Sequence, residues 1–104
     1  MDYGVNAMSE EKKQTIEEIR VEIDDVDQKM KELFLQRMEL TDAVAEIKAE
    51  SGGAVYQPGR EKAMLDRLAV SVEPRFQESY IRFLKGILSI SKDYQNEKLK
   101  KIRG

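Results

Sequence analysis

From Ile16 onward the chain repeats apolar side chains at alternating steps of three and four: Ile16, Ile19, Ile23, Val26, Met30, Leu33, Leu40, Val44 and Ile47. That spacing lines one face of an α-helix. No Gly or Pro interrupts it before Glu50, and Thr15 with Glu18 has the spacing of a capping box, so the pattern predicts one very long helix starting at Ser9 or Thr15 and ending near Glu50. Ser51, Gly52 and Gly53 break it, and residues 54–57 read as a short extended link. Pro58 suits a first helical position, with Gln57 before it as a poor N-cap. A second helix should run from Pro58 to about Val70, turning Ala63 or Met64, Leu65, Leu68 and Ala69 inward. Pro74, next to Glu73, marks the start of a third helix, from about Arg75 to the late 90s. It carries two stripes: Phe76, Tyr80, Phe83, Ile87, Ile90 and Tyr94, then Leu84 and Leu88 continuing into the polar Ser91 and Gln95. The expected fold class is all-α, with three helices per chain: one very long N-terminal helix, a short second and a long third.

Length turns this pattern into an expectation about assembly. Some forty helical residues reach roughly 60 Å at ~1.5 Å each, against a radius of gyration of ~13 Å for a compact domain of this size. Such a helix cannot be covered by its own chain. A sustained apolar seam suits a coiled-coil-like partner, so an intertwined helical homodimer is expected.

Composition narrows the chemistry. With 104 residues, 40% hydrophobic and 37% charged, the chain is the size of one domain. We read residues 1–8 as a disordered leader or expression remnant and residues 9–104 as one helical domain. No stretch is apolar enough to span a membrane and the N-terminus is too polar for a signal peptide, so a cytoplasmic location is expected. There is no cysteine and no histidine, which excludes thiol and histidine-based nucleophilic catalysis and leaves only carboxylates for a metal. A formal charge of −2 argues against nucleic acid as a partner. Any anion must be held by a few placed cations.

Arg37 interrupts the apolar seam between Leu33 and Leu40. A polar residue in a seam can fix register, but a buried charge without a partner is costly. Lys48 lies eleven residues on, which projects within about 20° of Arg37 and ~16 Å along the axis, leaving room for a small anion between the two. Read singly, Lys48 is a helix-terminal lysine, Arg20 a surface residue, and Arg60 with Glu61 an exposed pair, although an arginine in a first turn opposes the helix dipole. Ser91 and Gln95, four apart, share a face where a buried glutamine could simply be satisfied by backbone. The carboxylates Asp24, Asp25, Asp27, Glu32, Glu39 and Glu46 read as a solvated face, and Lys98, Lys100, Lys101 and Arg103 as a solvated basic tail.

Taken in order, IRVEIDDVD over residues 19–27, LQRMEL over 35–40, Ile47 with Lys48, the Gly-containing link, GRE over 59–61 and SKDYQ over 91–95 resemble the all-helical AroQ class of chorismate mutases. The resemblance covers about residues 15–99. It implies three helices per subunit interlocked with a second subunit, two equivalent sites, and rearrangement of chorismate, a small dicarboxylate, to prephenate.

Carried over by position, Arg37 and Arg20 would hold the two carboxylates, Lys48 and Gln95 the ether oxygen, and Glu61 the hydroxyl, with Arg60 and Ser91 completing the lining. Gln57 stands where the family commonly carries an aspartate associated with the hydroxyl. Arg20 and Lys48 are ~42 Å apart along a helix, so one ligand touching both requires Arg20 of a partner chain. The implied pericyclic step needs no cofactor and no metal. The chain is expected to end too soon for a fused dehydratase or dehydrogenase domain, unless it is a piece of a larger enzyme. Two other readings stand: an isochorismate pyruvate-lyase of the same fold, and a non-catalytic dimeric helical module that binds a metabolite.

Overall fold

A computed structural model describes residues 13–103, which form α1 (Ile16–Ser51), α2 (Pro58–Ala69) and α3 (Pro74–Arg103), with no strand among them. The expected leader over residues 1–8 lies outside the described residues; residues 13–15 precede the helix, so of the two expected starts α1 takes the one capped by Thr15 and does not run on from Ser9.

α1 opens with the capping box: the Thr15 amide donates to Glu18 Oε1 at 2.9 Å and the Glu18 amide to Thr15 Oγ1 at 3.1 Å. Two of the first turn's free N–H groups are thereby satisfied. It closes on Gly52, whose φ of 76° is the left-handed conformation that glycine adopts without strain, and whose amide returns to the Lys48 carbonyl at 2.8 Å. The link that follows brings the chain back toward α1.

Pro58 starts α2 as expected, but Gln57 makes no side-chain cap and instead donates its amide to the Ala54 carbonyl at 3.3 Å. α2 ends at Ala69, whose carbonyl accepts from the Val72 amide at 3.2 Å and from the Gln77 side chain of α3 at 2.9 Å. α3 runs on past the late 90s to Arg103. Leu99 and Ile102 continue the spacing of the inward stripe past Gln95 at steps of four and three, and Lys100, Lys101 and Arg103 in the last turn suit the negative end of the helix dipole.

The chain divides after Leu35 into two units. In the first, every described residue of α1 is exposed, including Ile16, Ile19, Ile23, Val26, Met30 and Leu33. In the second, the last turns of α1 stand with α2 and α3 around a small core of Ala45, Ala69, Leu84 and Leu99. α2 packs directly on α3 through half-buried Met64, Leu65 and Leu68, while Ala63 is exposed. Of the two α3 stripes, the one with Leu84, Ser91 and Gln95 turns inward; Phe76, Phe83, Ile90 and Tyr94 of the other remain exposed.

Side chains bridge the C-terminal turns of α1 to α3. Lys98, expected in a solvated tail, instead donates to Asp42 at 2.6 Å and Glu46 at 2.9 Å, and the Tyr94 hydroxyl donates to the same Asp42 oxygen. The Lys98 and Tyr94 hydrogen bonds hold the Asp42 carboxyl below the usual carboxylate range. The same bonds, to Asp42 first and then Glu46, hold the Lys98 ammonium above the usual lysine range, and the Asp42 bond raises the Tyr94 phenol.

Candidate active site

Between the last turns of α1, the start of α2 and the middle of α3 lies a cleft of about 310 Å³. Each helix contributes one face. From α1 come Arg37, Leu40, Thr41, Val44 and Lys48, at steps of three and four; from α3 come Leu88, Ser91, Lys92 and Gln95 at the same steps. Gln57, Arg60, Glu61 and Met64 enter from the first turns of α2, and Val55 from the link. The geometry thus brings together Arg37, Lys48, Gln57, Arg60, Glu61, Ser91 and Gln95. Arg20 belongs to the N-terminal unit, where it is exposed.

A chain of hydrogen bonds explains why polar residues interrupt the inward stripe of α3. Lys48 Nζ donates to Gln95 Oε1 at 3.0 Å and approaches the Val55 carbonyl at 3.5 Å. Gln95 Nε2 donates to Ser91 Oγ at 3.3 Å, and Ser91 Oγ lies 3.4 Å from Thr41 Oγ1. Thr41, Ser91 and Gln95 are each at least nine-tenths buried, so these bonds offset a desolvation that would otherwise be costly. Lys48 is held in place by its position: the Gly52 turn fixes its backbone, and a Cβ on Gly53 would come within 3.3 Å of the Lys48 side chain.

Arg37 differs from these groups. Its Nη1 is buried and has no hydrogen-bond partner among the described residues. Leaving a charged donor unpaired costs more than the ~1–3 kcal/mol of a neutral one, so the site favours an anion that accepts from it. Among the described residues, the lining carries four cations, Arg37, Lys48, Arg60 and Lys92, against one carboxylate, Glu61. That carboxylate is engaged by Lys92 at 3.1 Å. The cleft therefore suits a small ligand carrying more than one negative charge, with apolar contact from Leu40, Val44, Met64 and Leu88 for its body.

A family model for chorismate mutase type II matches residues 19–96, a span that includes all of these cleft residues and Arg20. The chain belongs to the type II chorismate mutase family. Among curated relatives, the chorismate mutase of Methanocaldococcus jannaschii is 43% identical over 51 residues, covering 49% of this chain and 52% of that protein. The T-protein of Haemophilus influenzae is 35% identical over 60 residues, covering 58% of this chain and 16% of that protein. The chain thus spans about half the length of the first and about a sixth of the second. No solved structure matches it significantly.

Two polar members of this family cleft escaped the sequence reading. Thr41 lies four residues after Arg37 and seven before Lys48, so the face already drawn for those two cations passes through it. Lys92 follows Ser91 directly and looked like one more surface lysine; only the approach of α2 to α3 shows its partner.

Proposed function

We propose that this chain converts chorismate to prephenate by an intramolecular Claisen rearrangement, as a step toward aromatic amino acids. The observation that carries the reading is the buried, unpartnered Nη1 of Arg37 on the same cleft as Lys48. Arg37 would take one ligand carboxylate, for which a planar guanidinium is suited.

Lys48 has three ammonium protons, of which one goes to Gln95 and one points to the Val55 carbonyl. The third is free to donate to the ether oxygen as its bond to carbon lengthens and negative charge grows there. Gln95 Nε2 spends one proton on Ser91, and its second can meet the same oxygen. Both donors are already oriented by their other bonds, so little reorganisation is needed when the charge develops. The cleft walls would hold the ligand folded, with its reacting ends together. Glu61 would accept from the hydroxyl, and Arg60, Gln57 and Ser91 would complete the lining.

We further propose that the active form is an intertwined homodimer in which Arg20 of a second copy supplies the other carboxylate contact. The exposed seam of α1 and the exposed aromatic stripe of α3 support it, because apolar surface of that extent marks an interface.

Incubating the purified protein with chorismate and identifying the product tests the reading. Prephenate should form, and Arg37→Ala should abolish most of the turnover. Release of pyruvate from isochorismate, with chorismate untouched, would assign a lyase instead; no turnover of either would leave a binding module.

A further inference from the structure

Among the described residues, Glu61 is the only carboxylate lining a cleft otherwise suited to a dianion. An unpaired carboxylate facing a dicarboxylate ligand would repel it, so the acid has to be neutralised locally without losing its acceptor oxygens. Lys92 meets that requirement. Its Nζ lies 3.1 Å from Glu61 Oε2 and 3.3 Å from Oε1, spanning both oxygens. The same ammonium sits 4.6 Å from the ring centroid of Tyr56, so a cation–π contact holds it from beneath. Three separate segments converge here: Tyr56 from the link, Glu61 from α2 and Lys92 from α3.

The pair differs from an ordinary surface salt bridge. Lys62 and Asp66, one turn apart on α2, are 78% and 66% exposed, whereas Lys92 and Glu61 are 30% and 20% exposed. Pairs of the first kind contribute little; a partly desolvated pair fixes the geometry of both groups. An ionised carboxylate has about four acceptor sites, and Lys92 occupies at most one on each oxygen, leaving others for a hydroxyl. Gln57 cannot take over this task as an anion, because it is neutral and its amide nitrogen is turned to Ala54.

We propose that Lys92 is a positioning residue: it neutralises Glu61 and aims it at the ligand hydroxyl, and so contributes to substrate selection without touching the reacting bond. The assignment rests on the chorismate reading. Because a hydroxyl contact made equally in ground and transition states changes KM rather than kcat, Lys92→Met and Lys92→Gln should each raise KM for chorismate ~5–10-fold with kcat within about twofold of wild type. Lys92→Arg, which keeps the cation, should restore KM to within about twofold. In a Glu61→Gln background the charge to be neutralised is gone, so adding Lys92→Met should change KM by less than about twofold. An unchanged KM in the single variants overturns the assignment. So does an equal cost of Lys92→Met with and without Glu61, which would mean that Lys92 contacts the ligand directly. Absence of chorismate turnover in the wild-type protein removes the chorismate reading itself, and the role of Lys92 with it.

Discussion

The two halves of α1 are built from the same residue types at the same spacing, yet they face different surroundings. Up to Leu35 no side chain of the helix is buried, and Ile16 and Leu33 are 62% and 64% exposed. Beyond Gln36 the helix does meet the rest of its chain, but with Arg37, Thr41, Ala45 and Lys48, while Leu40 and Ile47 on the apolar seam stay 62% and 65% exposed. The face that serves the chain's own fold is small and polar; the apolar seam stays exposed, with Leu40 and Val44 at the edge of the cleft. Neither half can be understood from burial within one chain, and they ask for different things. The polar face has a buried guanidinium nitrogen without a partner among the described residues and asks for an anion; the apolar seam asks for a second helix.

The largest effect that would separate these two demands is expected from Arg37→Ala. It should lower kcat/KM by roughly 10²–10³, the scale for losing one charge-stabilising donor, while stability changes by no more than about 1 kcal/mol because an unsatisfied buried N–H leaves with it. Parallel losses of activity and stability would mean that Arg37 serves the fold.

Ile23→Asp tests the seam in the half without a core. A charge forced into a helix–helix interface costs several kcal/mol, so the proposed homodimer should dissociate and the mass by light scattering should halve, with activity lost although the cleft residues are untouched. An unchanged mass would show that the seam is not the contact.

The polar half should also respond to pH through Asp42. Its carboxyl is held below the usual range in the folded state by Lys98 and Tyr94, so the linked stability is present above the unfolded carboxylate value of ~3.9 and is lost as pH falls through the lower folded value. Lys98 and Tyr94 are raised, so their share persists below pH ~10 and disappears as pH rises through the folded values. Thermal melts of wild type against Asp42→Asn should therefore converge at acid pH and separate near neutrality. Equal separation at all pH values would exclude the linkage. The smallest effect concerns the start of α2: Gln57→Asp should add about 0.5–1 kcal/mol by supplying the missing N-cap, read as a higher melting temperature.

Much of the fold is written in local signals. Thr15 and Glu18, the Gly52 turn, Pro58 and Pro74 each act within a few residues, and the helix boundaries they imply agree with the structure within a residue or two at those ends. The end of α3 has no such stop signal, and the stripe runs on through Leu99 and Ile102 into a basic last turn. The cleft is legible where two of its members share a helix, as Arg37 and Lys48 or Ser91 and Gln95 do. Partnerships between helices are not legible from periodicity: that Lys98 meets Asp42 and Glu46, or that Lys92 meets Glu61, depends on how α3 approaches α1 and α2. For Gln57, Arg60 and Glu61 the family resemblance supplied what helical spacing could not.

Mixing two crippled variants tests most directly whether one chain completes the site of another. Arg20→Ala and Arg37→Ala should each be nearly inactive alone. In the proposed homodimer, subunit exchange at equal amounts would make half the dimers hybrids, and one of the two sites in each hybrid would regain both arginines, so roughly a quarter of wild-type activity should return. No recovery despite exchange, or full activity of Arg20→Ala by itself, would contradict a site shared between two chains.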